Sequence, residues 1–310
     1  MGQNPSMPSR WLYDERSAAC WLPVAAVALN VGAVPSDNLR RLVETVQHAK
    51  AEHPDVRLVH FGEVTLGWFT KGKDTRSYYQ RVAETVPGKA TETLAAVARE
   101  LDVYISFGLV ERQEQGLSNT QVVIEPTGEI LAKHRKVNLR LKFLVPGERR
   151  VQTFSIDGVR CTIMICYDMQ GFLFGRMVHQ AHPEVILYSL ADNERAWFTS
   201  KHTATRFDAW IVCSNRYGAD PQYTWPGQIF VSDPLGRIRA RSVDEEKILY
   251  YRIPIVRKHG RVAWFARRCL MTMRLVGLVL LNSHIAWGFA ADRLRVLTGR
   301  TKRTTVGDRT

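Results

Sequence analysis

Residues 161–171 read CTIMICYDMQG, and this run decides the fold that the chain can adopt. It begins as a continuous apolar stretch of the kind found in buried strands, and it turns polar directly after Cys166. Reactive groups of α/β proteins commonly stand at such a strand end, because the strand is rigid and the next loop opens on a crevice. Cys166 is therefore a candidate nucleophile, although an isolated buried cysteine is more often a small core residue.

On both sides of this strand, short β-rich runs alternate with segments of helical period, which indicates an α/β domain with a mixed sheet. Turn residues between apolar runs predict hairpins at residues 126–128, 157–158 and 233–236. The predicted strands cover residues 24–29, 57–61, 104–110, 120–124, 161–165, 185–188, 211–214, 229–232 and 248–253.

Three segments have the apolar period of an amphipathic helix, namely residues 37–50, 91–102 and 197–210. Asp37 is the predicted N-cap of the first, because its carboxylate can accept hydrogen bonds from backbone N–H groups of the first turn. At 310 residues and 45% hydrophobic composition, the chain is long enough to bury a substantial core. We expect a tail at 1–22, a main domain at 23–256 and a basic, partly apolar helical extension at 257–310.

The five cysteines form an odd set without a CxxC pair, spread too widely for a disulfide framework or a metal site. We therefore expect a reducing, cytoplasmic compartment, and neither a metal nor a cofactor. The N-terminal segment lacks an apolar run of signal-peptide length. Gly2 and Ser6 fit the loose pattern for myristoylation, for which an ordinary flexible tail is the preferred alternative.

The net charge of +13 belongs mainly to the C-terminal extension. Residues 257–310 hold twelve Lys or Arg against two acids, a net +10, so the other 256 residues carry only about +3. Residues 275–291 contain no Asp, Glu, Lys or Arg, but their length is at the lower limit for a membrane span. A helix packed on the body or on a dimer partner is the first interpretation, and membrane association is the second. The apolar run argues against nucleic-acid binding.

Two charged residues supply what a thiol nucleophile needs, which is a base for its proton and a cation for the developing oxyanion. Glu63 follows the apolar run RLVHFG, and Lys136 follows the strand and turn of VVIEPTGEIL. Each residue alone is more simply a solvated loop charge. Together with Cys166, they indicate one shared site.

The surroundings of Glu63 in FGEVTLGWF, Lys136 in KHRKVNL and Cys166 in ICYDM resemble the Glu-Lys-Cys triad of the nitrilase superfamily, the carbon–nitrogen hydrolases. The resemblance covers residues 23–256 and includes LSNTQVVIEPTGEIL and GQIFVSDPLGRIRARS. It implies an αββα sandwich of two mixed sheets and a homodimer or larger homo-oligomer. Tyr167 and the aspartate after it resemble the amidase and carbamoylase branches, so a small-molecule amide is the expected substrate.

The resemblance also implies a mechanism. Glu63 acts as general base, Cys166 forms a thioester, and Lys136 holds the oxyanion together with a backbone N–H near Tyr167. Ammonia or an amine leaves before water hydrolyses the thioester. Two further segments are expected to rim the pocket, with ordinary loop packing or a helix cap as the alternative; they contribute Tyr167, Asn193, Glu194 and Trp197.

The chain departs from the family pattern where a second carboxylate usually stands before the Pro-Gly segment. This stretch contains Lys142 but no acid, and Glu148 follows the glycine. A cation here would suit a substrate that bears a carboxylate or phosphate. Two other functions therefore stay open: an N-acyltransferase, with an amine capturing the thioester at a membrane, and a catalytically silent scaffold.

Overall fold

The computed structural model describes residues 13–69, 74–170, 172–193 and 207–257, together with Cys269. Four α-helices are defined in these residues, and single 3-10 turns are found at Glu15–Ser17 and Cys166–Gln170. The helices are α1 Pro35–Glu52, α2 Thr75–Val82, α3 Lys89–Leu101 and α4 Phe172–Ala181. The strands are β1 Cys20–Asn30, β2 Leu58–His60, β3 Tyr104–Gln113, β4 Gly116–Ile124, β5 Ile130–Arg135, β6 Thr153–Ile156, β7 Val159–Ile165, β8 Val185–Ser189, β9 Trp210–Ala219, β10 Thr224–Pro226, β11 Ile229–Ser232, β12 Ile238–Ser242 and β13 Lys247–Ile255.

Two mixed sheets are joined through β9. The first has the order β5-β4-β3-β2-β1, with β13 antiparallel to β1. The second has the order β6-β7-β8-β9-β11-β12. The first half of β9 pairs with β8 and β11, whereas Asn215, Arg216 and Tyr217 near its end pair with β1. The carboxyl ends of parallel strands from both sheets are thereby brought to one region of the molecule.

Alternate residues of β1 show how the layers are divided, because successive side chains of a strand face opposite sides. Leu22 and Val24 belong to a core cluster made of strand residues from both sheets. Ala25 and Val27 belong to a second cluster that includes the apolar faces of α1 and α3.

The fourth layer covers the outer face of the second sheet. Phe174 and Val178 of α4 pack there against Met164 of β7 and Ile186 of β8. The layers are therefore helix, sheet, sheet and helix, and the predicted αββα sandwich of two mixed sheets is confirmed.

Two local predictions are wrong at their boundaries. Helix α1 begins at Pro35 with Val34 as its N-cap, and Asp37 lies within the first turn. Proline suits this first position because its fixed φ is helical and its missing N–H has no partner there anyway. Trp210, the predicted end of a third helix, is the first residue of β9, and its ring is fully buried. Residues 197–206 lie outside the described part of the chain.

The buried His60 on β2 should make the stability of the fold depend on pH. Burial lowers the pKa of His60 from 6.5 to about 4, so the folded protein keeps the ring neutral. In the unfolded chain, His60 takes up a proton near pH 6.5, whereas in the folded protein it does not. Protonation therefore favours the unfolded state increasingly as pH falls from 6.5 towards 4. We expect His60 to lower the free energy of unfolding by about 3 kcal/mol over this window.

Urea denaturation of His60→Leu should show a correspondingly flatter dependence on pH. His48→Gln is the control, because His48 is 64% exposed on α1 and should leave the profile unchanged. A profile of His60→Leu that coincides with wild type would contradict the assignment.

Candidate active site

Glu63 follows β2 and is fully buried. Its Oε1 accepts hydrogen bonds from Lys136 Nζ at 2.6 Å and from Asn119 Nδ2 at 2.6 Å, and its Oε2 accepts from the backbone N–H of Ala191 at 3.1 Å. A buried carboxylate needs such partners, because it has lost its contacts with water. Asn119, in the middle of β4, was not among the predicted site residues.

Gly62 allows the ends of three strands to meet beside Glu63. A Cβ atom at Gly62 would stand 2.8 Å from the carbonyl oxygen of Leu190 and 3.2 Å from the backbone of Asn215. The backbone N–H of Glu63 donates to that same Leu190 oxygen at 3.0 Å. Any side chain at position 62 would therefore push the end of β2 away from the ends of β8 and β9.

Lys136 stands directly after β5, with only 6% of its side chain exposed. Its backbone N–H donates to the carbonyl oxygen of Asn119 at 2.8 Å, and its carbonyl accepts from Gly147 N–H at 3.0 Å. Burial alone lowers the pKa of Lys136, but the charge of Glu63 and its hydrogen bond to Nζ outweigh burial and raise it. The side chain is thus a fixed cation beside Glu63.

Cys166 is the first residue after β7, and its φ of 44° lies in the left-handed region that non-glycine residues rarely adopt. Such strain is found where the surrounding structure imposes it, often at functional sites. Burial, reinforced by the negative charge of Glu63, raises the pKa of Cys166 to about 12, although Lys136 lowers it. The resting thiol is therefore neutral, and it requires a base to become nucleophilic.

Asp168 joins the segment that carries Lys136 to the turn that carries Cys166. Its Oδ1 accepts from the backbone N–H groups of Val137 at 3.0 Å and Asn138 at 2.8 Å. Its Oδ2 accepts from Ile165 N–H at 3.3 Å and lies 2.9 Å from His134 Nε2. Asp168 belongs to the motif that contains the nucleophile, but nothing in the sequence indicated that its carboxylate contacts the segment after Lys136.

The remaining predicted residues differ in where they lie. Tyr167 is half-buried, and the guanidinium of Arg140 stands 5.0 Å from the centre of its ring. Asn193 is exposed. Glu194 and Trp197 lie outside the described residues.

The two residues predicted on either side of the Pro-Gly segment, Lys142 and Glu148, are both exposed. Glu148 has a side chain that is 75% exposed and forms an ion pair with Arg150 at 2.8 Å. Over the described ranges, no group of three or more His, Cys, Asp or Glu side chains is placed to hold a metal ion.

Replacing Asp168 with asparagine should damage both stability and activity, because an amide cannot accept all four hydrogen bonds. We expect Asp168→Asn to lower the free energy of unfolding by about 3 kcal/mol, since the lost bonds are buried and charge-assisted. Amide turnover per folded molecule should fall at least about tenfold as Lys136 and Cys166 lose their common anchor. Denaturation and steady-state kinetics measure the two effects.

Asp157→Asn is the matched control. Asp157 pairs with Arg57 at a partly exposed position, and its left-handed φ suits asparagine, so the change should cost less than about 1 kcal/mol. Equal losses of turnover in the two variants would contradict a positioning role for Asp168.

Comparison with known proteins places the chain in a family. The carbon-nitrogen hydrolase model matches residues 23–257. The chain is 26% identical over 246 residues to omega-amidase NIT2 of Mus musculus, covering 73% of this chain and 86% of that protein. It is 32% identical over 245 residues to omega-amidase NIT2-B of Xenopus laevis, with the same coverage.

Solved structures share the fold at low identity. An amidase from Nesterenkonia sp. superposes with a TM-score of 0.67 and 18% identity, covering 82% of this chain and 97% of that one. Nit3 of Saccharomyces cerevisiae, a nitrilase-superfamily member, superposes with a TM-score of 0.68 and 20% identity, covering 81% and 95%. The family match and the αββα sandwich together show that this chain belongs to the carbon-nitrogen hydrolase family of the nitrilase superfamily and is an amidase-like enzyme.

Proposed function

We propose that the protein hydrolyses the C–N bond of a small, non-peptide amide or carbamoyl compound through a thioester on Cys166. The observation that carries the proposal is the buried contact of 2.6 Å between the Glu63 carboxylate and Lys136 Nζ, beside a thiol that is neutral at rest. A base, a cation and a nucleophile in one buried place are the three parts that acyl transfer to a thiol requires.

In the first half-reaction, the Glu63 carboxylate takes the proton of the Cys166 thiol while sulfur attacks the amide carbon. Negative charge develops on the amide oxygen, and the Lys136 ammonium stabilises it together with a backbone N–H near Tyr167. Glu63 then gives its proton to the amide nitrogen. The C–N bond breaks, ammonia or an amine leaves, and the acyl group remains on sulfur.

In the second half-reaction, Glu63 takes a proton from water, and the oxygen of this water attacks the thioester carbon. The C–S bond breaks as Glu63 returns its proton to sulfur, which restores the thiol and the carboxylate. One carboxylate therefore serves both halves, because it is again ionised each time that a proton must be removed.

The relatives support an amide as substrate. Omega-amidases are the matched relatives at 26% and 32% identity, and the Nesterenkonia protein is also an amidase. A mutant of that amidase, with glutamine for glutamate, carries acrylamide added to its active-site cysteine. We infer that the thiol of this chain likewise faces a cavity that admits a small amide.

The test is turnover of a panel of small amides, with acid and amine products followed by NMR and the protein followed by intact mass. Wild type should release acid and amine in equal amounts. Cys166→Ala should release neither, and Glu63→Gln should lower kcat by about 10²–10⁴-fold, which is the range for loss of a general base.

Cys20→Ala is the control, because this partly exposed cysteine on β1 has no role in the mechanism. Its turnover should equal that of wild type. Acid formation by Cys166→Ala would contradict the proposal. Products formed only when an acceptor amine is present would assign an acyltransferase, and an unreactive wild type would assign a silent scaffold.

We propose that the enzyme is a cytoplasmic homodimer or larger homo-oligomer and that residues 257–310 pack on the body or on a partner. Helix α4 follows the nucleophile turn, and the family resemblance implies that copies associate through helices that flank the nucleophile. No helix in the described part of the chain is long and apolar enough to cross a membrane. Residues 275–291 lie outside that part.

Cell fractionation and light scattering of the full chain, and of a chain ending at Arg257, separate the interpretations of the extension. If the extension packs on protein, the full chain should remain in the supernatant as a dimer or larger oligomer, and the truncated chain should have a lower unfolding temperature. If the full chain pellets with membranes and the truncated chain does not, membrane association replaces packing.

A further inference from the structure

Arg216 on β9 is one of the largest fully buried side chains of the described structure, with 1% of its surface exposed. Burying a guanidinium costs several kcal/mol unless its surroundings compensate. Its Nη1 donates two hydrogen bonds, to the carbonyl oxygens of Val64 at 2.7 Å and Gly67 at 2.8 Å. Both carbonyls belong to the loop that begins at Glu63.

The loop after Glu63 needs contacts from other elements, because one of its residues has a strained backbone conformation. Val64 has a φ of 51°, a left-handed conformation that is unfavourable for a β-branched residue. The backbone N–H of Thr65 donates to the carbonyl of Gly108 at 2.7 Å, which fixes one side of the turn. The hydrogen bonds from Arg216 to the carbonyls of Val64 and Gly67 fix the other side of the turn.

The guanidinium is itself held in orientation. It lies 5.3 Å from the centre of the Trp225 ring, and Trp225 Nε1 donates to Asp220 Oδ2 at 2.9 Å. Burial lowers the pKa of Arg216 to about 10, so the group stays charged at neutral pH, and the carboxylates of Asp220 and, more weakly, Glu63 favour this charge. Arg216 is therefore a buried cation that is bound to the Glu63 loop through Nη1, whereas its Nε and Nη2 have no hydrogen-bond partner among the described residues.

We infer that Arg216 is a positioning residue for Glu63, because it ties the carbonyls of Val64 and Gly67 and so holds the loop that presents the carboxylate to Lys136 and Cys166. The inference rests on the proposed role of Glu63 as general base. It assigns Arg216 no contact with the substrate. Its effect should therefore appear in kcat and disappear when the Glu63 carboxylate is removed.

The experiment compares Arg216→Met, Arg216→Lys and Leu94→Ala in wild-type and Glu63→Gln backgrounds. Leu94 is a fully buried core residue of α3, so its truncation lowers stability without touching the loop. The readouts are kcat and KM for the amide that wild type hydrolyses, the rate of acrylamide addition to Cys166 by intact mass, and the unfolding temperature.

We expect Arg216→Met to lower kcat about 100-fold with KM within about threefold, since a base displaced by about 1 Å loses a factor of this size. Arg216→Lys keeps the charge but cannot place a donor where Nη1 stands, so it should lower kcat by about three- to tenfold, well short of the loss in Arg216→Met. Leu94→Ala should keep wild-type kcat per folded molecule. In the Glu63→Gln background, Arg216→Met should change the acrylamide rate by less than about twofold.

Three results would overturn the inference: a change in KM without a change in kcat, an equal loss of kcat in Leu94→Ala, or an equal effect of Arg216→Met in both backgrounds. If Arg216→Met does not fold, Arg216→Lys decides, and wild-type kcat in that variant refutes the positioning role. Full turnover by Glu63→Gln would refute the proposed function itself, whatever the Arg216 variants do.

Discussion

The buried ion pair of Glu63 and Lys136 is the interaction on which the arrangement of the site depends. Removing two charges from water is expensive, and their attraction compensates only when the remaining polar atoms are also satisfied. Here Asn119 and the Ala191 N–H supply those contacts, so the strand ends around β2, β4, β5 and β8 must come together. An apolar pair of similar volume would stabilise the fold equally well. The ion pair is therefore explained by its proposed role in the reaction and not by its effect on stability.

The site spans both sheets of the sandwich. Glu63 and Lys136 follow strands of the first sheet, whereas Cys166 follows β7 of the second. Strand β9 joins the sheets, and the Asp168 carboxylate ties the segment after Lys136 to the backbone at Ile165. Cys166 and Lys136 therefore come from different sheets, and their relative position depends on contacts between the two segments.

Much of the fold could be predicted from the sequence, because buried strands such as β7 and β8 are continuous apolar runs. Strand β12, IRARS, and helix α2, TRSYYQRV, were missed because both are short and their side chains are largely polar. Trp210 was assigned to a helix because an apolar aromatic residue fits both the helical and the strand pattern of the sequence. Its packing beside Tyr13 and Tyr251 is visible only in the structure.

The three site residues could be found from their order and from the resemblance of their motifs, but their supports could not. Asn119 and Glu63 are separated by 56 positions, and no local pattern indicates that they touch. Likewise, the four partners of Asp168 become visible only when the backbone N–H groups of two distant segments are placed around it. Sequence shows which groups can react, whereas the tertiary contacts show what holds them.

The central claim is that every substrate passes through one thioester on Cys166. The most direct test is to partition this intermediate with hydroxylamine, using a primary amide and its N-methyl analogue that share one acyl group. A common thioester should give the same ratio of hydroxamate to acid from both substrates, because both form the same acyl-enzyme after the amine has left. A ratio that changes with the leaving amine would contradict a common thioester.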